Sequence, residues 1–126
     1  MLTEKDYCDY DTCVALKELG FNEYCRGYFD PLCKIFNETS YLKGWNNIEG
    51  SDCGVLSCPS LYEAQKWLRE EKHLFVEIQY RSYTWPYGYE IYNSERERLD
   101  VVDGYKTYEE ALSEGIKEAV KILQND

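Results

Sequence analysis

The segment SLYEAQKWLREEKHLFVEIQYR, residues 60–81, gives the clearest indication of the fold class. It begins with a Ser that is followed three positions later by a Glu, which is the capping-box pattern at the start of a helix. Apolar residues then recur on one helical face as far as Lys72. From Leu74 onward, apolar and polar residues alternate with a period of two, which predicts a strand. A helix that leads directly into such a strand predicts an α+β fold.

The sequence after this stretch extends the pattern. Residues 85–88 predict a turn, residues 89–92 a returning strand, and residues 99–102 a short third strand. A second capping box at residues 107–110 opens a helix whose apolar residues share one face. Residues 59–126 are therefore expected to follow the order α-β-β-(β)-α, in which two helices flank a small antiparallel sheet of two or three strands.

Residues 1–58 have a less regular hydrophobic pattern. Asp11 is a suitable N-cap for a helix that runs to Leu19 and ends at Gly20. Beyond it, Gly, Pro and Asn interrupt short aromatic runs, which predicts an irregular segment with one short helix or strand around residues 32–36. Because 126 residues suit one hydrophobic core, we expect residues 1–126 to form a single domain with a Cys-rich part (1–58) and a regular part (59–126).

All six cysteines lie in the first part: Cys8, Cys13, Cys25, Cys33, Cys53 and Cys58. The C-x4-C spacing occurs twice, so Cys8, Cys13, Cys53 and Cys58 are compatible with a four-thiolate zinc site, although the spacing is loose for a zinc knuckle. Disulfides are a further alternative, but they require an oxidising compartment. We favour free thiols that act as small buried groups, and we expect no metal and no cofactor.

The charge balance restricts the partners. The chain has 14 basic and 24 acidic residues, a net charge of −10, and both halves are acidic. Nucleic acids and anionic membrane surfaces are therefore unfavourable partners, whereas a basic protein surface is compatible, as is simple solubility. The sequence contains no run of 18 apolar residues, so we expect no membrane-spanning helix. The N-terminal residues do not resemble a secretory signal, and we therefore expect a cytoplasmic location.

The residues do not predict an active site. The chain has one histidine, His73, and the only nucleophile–base pair to consider is Cys58 with this histidine. A histidine at a helix C-terminus is more typical of a surface position that the helix dipole favours. The glycines do not form a phosphate-binding loop. We therefore expect a protein that is not an enzyme.

One predicted surface does favour binding. The composition is rich in aromatic residues, with 13 Tyr, 3 Trp and 4 Phe. The predicted hairpin gathers aromatic and arginine side chains, a composition typical of protein-interface hot spots and of base-stacking platforms. The candidate binding residues are Phe75, Arg81, Tyr83, Trp85, Tyr87, Tyr92, Arg96 and Arg98. The alternative is that residues 1–58 cover this face and complete the core.

Three blocks of sequence resemble a known group of proteins. LKELGFNE (16–23), AQKWLRE (64–70) and YKTYEEAL followed by GIKEA (105–119) resemble blocks that recur in short uncharacterised proteins of phages and mobile elements of gut bacteria. The resemblance implies a bacterial host cell and brings no assigned activity and no catalytic residues. The order of elements is also similar to that of double-stranded-RNA-binding domains. The last helix of those domains opens with a Lys-rich stretch, whereas the last predicted helix of this chain opens with residues 107–110, TYEE. The hairpin with its following helix is also similar to some antitoxins.

These observations predict a non-enzymatic accessory protein of a phage or mobile element. It would bind a host protein, such as a defence component, through an aromatic and acidic surface. One alternative is a nucleotide-binding or nucleotide-sequestering protein with Arg81, Arg96 or Arg98 at the phosphates. The other is an antitoxin-like or zinc-thiolate structural module. A homo-oligomer is compatible with each of these interpretations.

Overall fold

The computed structural model of the chain describes residues 2–30, 32–47, 55–81 and 84–125. The chain divides into two compact units, Met1–Tyr62 and Glu63–Asp126. The predicted change from a Cys-rich, irregular part to a regular part after residue 58 therefore lies close to the boundary between them. In the described part of the chain, no helix is long and apolar enough to cross a membrane.

The first unit contains a sheet that the sequence analysis did not predict. Three antiparallel strands lie in the order β2-β1-β3. The elements of this unit are the helix α1 (Tyr10–Glu18), the strands β1 (Cys25–Phe29), β2 (Phe36–Lys43) and β3 (Leu56–Cys58), and two 3-10 helices, Glu4–Asp6 and Trp45–Asn47. The expectation of an irregular segment after Phe21 was wrong.

The missed strand β1 has a clear physical explanation. Its inward positions are Cys25, Gly27 and Phe29, so two of the three buried residues are small. A Cβ on Gly27 would lie 2.9 Å from the ring of Phe36 on the neighbouring strand, and it would also collide with the backbone of Cys58. Close approach of three strands thus requires small residues, which weaken the hydrophobic alternation that identifies a strand.

The helix α1 begins two residues earlier than expected. Asp9 is its N-cap, and the Asp9 carboxylate accepts a hydrogen bond of 2.9 Å from the backbone N–H of Thr12. Asp11 instead lies in the first turn, where its charge is also favourable to the helix dipole. The predicted end is confirmed, because Gly20 follows the helix with a φ of +102° that favours glycine.

The second unit confirms the predicted α+β class. The helix α2 spans Leu61–Glu71 and crosses the boundary between the units. The strands β4 (Phe75–Tyr80), β5 (Tyr87–Tyr92) and β6 (Arg98–Tyr105) pair antiparallel in chain order, and α3 (Tyr108–Gln124) packs on this sheet. The largest fully buried side chains among the described residues of the unit are Leu68, Ile91, Leu112 and Ile116.

Helix α3 lies close to the sheet at a glycine. A Cβ on Gly115 would be 2.7 Å from Cγ1 of Val76 and 3.1 Å from the ring of Tyr89. Val76 and Tyr89 are themselves buried and lie on adjacent strands. The face of the sheet that carries these two residues is therefore the face that α3 covers.

Tyr80 lies on the α3 side of the sheet as expected, since it pairs with Tyr87, and at the end of β4 it is 69% exposed. Two local details differ from the sequence prediction. The predicted turn at residues 85–88 is too long, because Tyr87 and Gly88 already belong to β5. At the start of α3, the Thr107 hydroxyl accepts from the N–H of Glu110 as predicted, but the Glu110 carboxylate accepts from the N–H of Lys106 rather than completing the capping box.

Candidate functional site

The second sheet has a polar face opposite α3. Along β5, Tyr89 and Ile91 point toward α3, so Gly88, Glu90 and Tyr92 point the other way. The strand register places Phe75 of β4 beside Tyr92 and Val101 of β6 beside Glu90. Aromatic, apolar and charged side chains therefore share this face.

Glu90 is the centre of a hydrogen-bonded cluster on that face, although only 7% of its surface is exposed. The hydroxyl of Tyr92 donates a short hydrogen bond to Oε1 of Glu90. Nη2 of Arg81 lies 3.2 Å from Oε2 of Glu90, and Nη1 of Arg98 lies 3.6 Å from Oε1. Arg81 also donates through Nε to Oδ1 of Asp103, at 3.1 Å. We call Arg81, Glu90, Tyr92, Arg98 and Asp103 the Glu90 cluster.

A glycine creates the space for this cluster. Gly88 pairs with Asp103 across the two strands. A Cβ on Gly88 would collide with the Asp103 carboxylate and would lie 2.7 Å from the carbonyl oxygen of Val102. The absence of a side chain at this position therefore lets Asp103 cross the strand and reach Arg81.

Three residues of the cluster have pKa values that the other members shift. The hydrogen bond from Tyr92, together with Arg81, lowers the pKa of Glu90 despite the opposing effect of burial. The same hydrogen bond raises the pKa of the Tyr92 hydroxyl, and the hydrogen bond to Asp103 raises the pKa of Arg81. Near neutral pH, Glu90 is thus anionic, Tyr92 is neutral and Arg81 is cationic.

The structure brings together half of the predicted binding residues. Arg81, Tyr92 and Arg98 all contact Glu90, and Phe75 is the cross-strand neighbour of Tyr92. Arg98 is the most exposed of the three that contact the glutamate, with 56% of its side chain accessible.

The other predicted residues lie elsewhere. Tyr87, predicted at the hairpin tip, is the first residue of β5 and lies on the α3 side: its ring packs against Tyr80 at 5.6 Å and against Tyr108 of α3 at 6.1 Å. Arg96 lies in the turn between β5 and β6, with a φ of +65° and its N–H bonded to the carbonyl of Asn93.

The remaining two predictions concern the loop between β4 and β5. Trp85 is 48% exposed, and its ring lies 4.7 Å from Nζ of Lys106. It is thus accessible, but its described contact is with this lysine rather than with the cluster. Tyr83 lies outside the described residues.

Sequence reasoning missed the two acidic members, Glu90 and Asp103. A signal was available for Glu90, since the period of two that selected Tyr92 selects Glu90 as well. A charged residue in a predicted strand is usually exposed to solvent, so Glu90 was not selected as a candidate site residue. Asp103 had no such signal, because the predicted third strand ended at residue 102, whereas β6 extends to Tyr105.

The charges of the cluster do not favour a phosphate ligand. The two arginines are balanced by Glu90 and Asp103, and Glu77 lies directly opposite Glu90 on the neighbouring strand. The local charge is therefore not positive, although phosphate recognition by arginine depends on an available cationic fork. Arg96, the third arginine considered for a nucleotide, lies in the turn.

Three cysteines are close together in the first unit. The thiols of Cys13 and Cys58 approach the carbonyl oxygen of Cys8 at 3.8 Å and 3.2 Å. Burial, followed by the interactions with Cys58 and Cys8, raises the pKa of the Cys13 thiol well above its ordinary value. The prediction of small buried thiols is confirmed for these three and for Cys25, whereas Cys33 is exposed.

These thiols do not form a metal centre with other side chains of the described part of the chain. Among residues 2–30, 32–47, 55–81 and 84–125, no group of three or more His, Cys, Asp or Glu residues has an arrangement that would hold a metal ion. Cys53, the fourth residue of the zinc alternative, lies outside the described residues.

Comparison with protein-family models, with curated proteins and with solved structures finds no match for this chain.

Proposed function

We propose that this chain is a non-enzymatic protein-binding domain whose contact surface is the Glu90 cluster with Phe75 and Val101 beside it. In this proposal it belongs to a phage or mobile element and binds a protein of the bacterial host. The observation that carries the proposal is the central position of Glu90, which is buried among Tyr92 and two arginines on the face opposite α3.

The composition of this face supports the proposal. Tyrosine and arginine are enriched in protein–protein interfaces, and they dominate the small number of residues that carry most of the binding free energy. Arg98 is exposed and Val101 is 39% exposed, so a partner reaches both without rearrangement of the strands.

Preorganisation is a second argument. An arginine or tyrosine that is immobilised only on binding loses side-chain entropy, which weakens the complex. Here the carboxylate of Glu90 already orients the hydroxyl of Tyr92, and Glu90 together with Asp103 orients the guanidinium of Arg81. The cost of ordering these two side chains is therefore partly met during folding.

The same electrostatics argue against acid–base chemistry at this site. A general acid or base works best when its pKa lies near the operating pH. The cluster instead moves the pKa of Glu90 further below neutrality and that of Tyr92 further above it. An interface with fixed charges is the role that these shifts favour.

The test compares two arginine variants of the full chain. Tagged wild-type protein is used to purify a stoichiometric partner from a bacterial lysate, and Kd is then measured with the isolated partner. We expect Arg98→Ala to weaken binding by about tenfold or more, as for an interface hot spot. Arg96→Ala is the matched control, because it removes the same charge two residues away but outside the cluster, and we expect an unchanged Kd.

The fold should survive both substitutions. Arg98 is 56% exposed and its pair with Glu90 is long, and pairs of this kind contribute little to stability. Circular dichroism melts of the two variants should therefore match that of the wild type. The proposal is wrong if the wild type retains no stoichiometric partner, or if Arg98→Ala and Arg96→Ala bind the partner equally well.

A further inference from the structure

The first unit contains a cavity of about 440 Å³ that the Glu90 cluster does not involve. Its aromatic walls come from Tyr7, which lies between the first 3-10 helix and α1, from the first residue of α1, and from the β1–β2 hairpin. The lining residues include four aromatic rings: Tyr7, Tyr10, Phe29 and Phe36. Its volume lies within the range of small-molecule sites.

The four rings pack against one another in edge-to-face pairs. The ring centroids of Tyr7 and Phe36 are 4.7 Å apart with nearly perpendicular planes, and those of Tyr10 and Phe29 are 5.3 Å apart in a similar geometry. Phe29 and Phe36 join the two pairs at 6.0 Å. This continuous edge-to-face chain fixes the walls of the cavity before any ligand binds.

Carboxylates surround the rings. Glu4 and Asp9 line the cavity. The hydroxyl of Tyr7 donates a short hydrogen bond to Glu38, which places a third carboxylate behind that ring. Aromatic faces and negative charge together form the environment that stabilises an organic cation.

An ammonium group of the chain itself already occupies part of this environment. Nζ of Lys34, a lining residue, lies 5.0 Å from the centroid of the Tyr10 ring. Lys34 is in the hairpin turn, where it has a φ of +56° and its N–H bonds to the carbonyl of Asp30 at 2.8 Å. The turn therefore presents this side chain to the cavity.

We infer that this cavity is a binding site for alkylammonium groups and that Lys34 is its internal competitor. The ligand chemistry is a primary to quaternary ammonium that displaces Lys34 from the Tyr10 ring. Such a group is found in a free small amine and in the side chain of a lysine or methylated lysine of a protein. The inference is independent of the proposed function, since it concerns another unit and other residues.

The first experiment is an NMR titration of the full chain with choline and with its neutral isostere 3,3-dimethyl-1-butanol. Choline at millimolar concentration should give saturable shifts of the resonances of Tyr10 and Lys34. The neutral isostere should bind about fivefold more weakly or worse, because it lacks the cation–π interaction. Equal binding of the two compounds, or no saturable shift with choline, would overturn the inference.

Substitution of the competitor tests the assigned role of Lys34. Lys34→Met removes the internal ammonium, and we expect choline to bind about threefold more tightly or better, on the scale of an exposed cation–π contact. Lys106→Met is the matched control, since it removes an ammonium from the Trp85 ring, which does not line this cavity. The assignment fails if Lys34→Met leaves choline affinity unchanged or lowers it.

Two further variants separate binding from folding. Tyr10→Leu retains apolar bulk and should reduce the preference for choline over its isostere, because the carboxylates remain but the cation–π contact is lost. Because Tyr10 is half-buried and its replacement also changes the packing of Phe29, Glu4→Gln is used in parallel at an exposed position. It should weaken choline and leave the neutral isostere unaffected, and an unchanged choline Kd would contradict the electrostatic part of the inference.

A peptide arm distinguishes the two sources of the cation. A short peptide that carries trimethyllysine is compared with choline under the same conditions. Tighter binding of the peptide assigns the site to a protein side chain, and tighter binding of choline assigns it to a free amine. Failure of both ligands overturns the inference without affecting the proposal for the Glu90 cluster.

Discussion

At the scale of single residues, Glu90 links stability to pH. Its pKa is lower in the folded chain than the ordinary value of 4.5. The carboxylate therefore contributes stability that is fully present above that value and is lost as the pH falls through the folded pKa. Glu90→Gln removes this contribution, and because hydrogen bonds to a charged group are involved we expect the free energy of unfolding at pH 7 to fall by about 2 kcal/mol.

Glu77→Gln is the matched control for this prediction. Glu77 lies opposite Glu90 in the strand register and is exposed, so its removal relieves a like-charge contact. We expect the free energy of unfolding to stay the same or to rise by a few tenths of a kcal/mol. Urea titrations between pH 7 and pH 3 measure both variants. A difference between wild type and Glu90→Gln that does not shrink with acidification would contradict the prediction.

The cysteines provide a second prediction at this scale. The thiolate is the reactive form of cysteine, so a buried thiol with a raised pKa reacts slowly. We expect iodoacetamide at pH 8 to modify Cys33 before Cys13, with Cys13 slower by about two orders of magnitude or more, since modification of Cys13 requires local opening. Mass spectrometry of the two proteolytic peptides measures the two rates. Cys33→Ser should leave the rate at Cys13 unchanged, and comparable rates for both thiols would show that Cys13 is accessible.

At the scale of elements, the contact of α3 with its sheet depends on Gly115. Replacement of a helical glycine with alanine ordinarily stabilises a helix by about 1 kcal/mol. Here the new methyl group would lie 2.7 Å from Val76 and 3.1 Å from Tyr89. Tyr89 has little freedom to move, because its hydroxyl is bonded to Asp100 at 3.0 Å and its ring stacks on Tyr105.

We therefore expect the steric cost to exceed the gain in helix propensity. Gly115→Ala should lower the free energy of unfolding by about 1–2 kcal/mol, as overpacked core substitutions do. Glu114→Ala, at the exposed position next to it, should change stability little. Denaturant unfolding of the two variants is the measurement, and a Gly115→Ala protein as stable as the wild type would show that α3 moves to accommodate the methyl group.

An element can be predicted from the sequence when the residues that determine it are neighbours in the chain. α3 and β4 were predicted correctly because a run of neighbouring residues carries their period, 3.6 or two. The strand β1 is different, since its inward residues Cys25 and Gly27 are small and its pairing with β3 joins residues about thirty positions apart. Such pairing depends on tertiary contacts, which a local pattern does not contain.

The same distinction applies to the candidate site. Arg98 and Tyr92 were predicted as binding residues on the surface, and this prediction depended only on their closeness in sequence to the predicted hairpin. Their connection through Glu90 depends on the register between three strands. Tyr87 lies next to the hairpin loop as predicted, but it shares the parity of Tyr89, so its ring is on the α3 side and not with the cluster.

At the scale of the whole molecule, charge predicts what the chain does not bind. A net charge of −10 repels the phosphate backbone, and contacts with phosphate supply nearly all of the affinity in nonspecific nucleic-acid binding. The arginines nearest to an aromatic surface, Arg81 and Arg98, are already paired with carboxylates. We therefore expect no saturable binding of labelled single-stranded or double-stranded DNA or RNA, even at about 50 mM salt, where such contacts are strong.

The positive counterpart uses a polycation under the same conditions. Polylysine should bind the chain at low salt and dissociate as the salt concentration rises, because exposed charges are screened within about 10 Å at 0.1 M ionic strength. Fluorescence anisotropy measures both the nucleic-acid and the polylysine titrations. Saturable nucleic-acid binding whose affinity falls steeply with salt would mean that a local basic site outweighs the global charge, and it would redirect the search for a partner from basic proteins to nucleic acids.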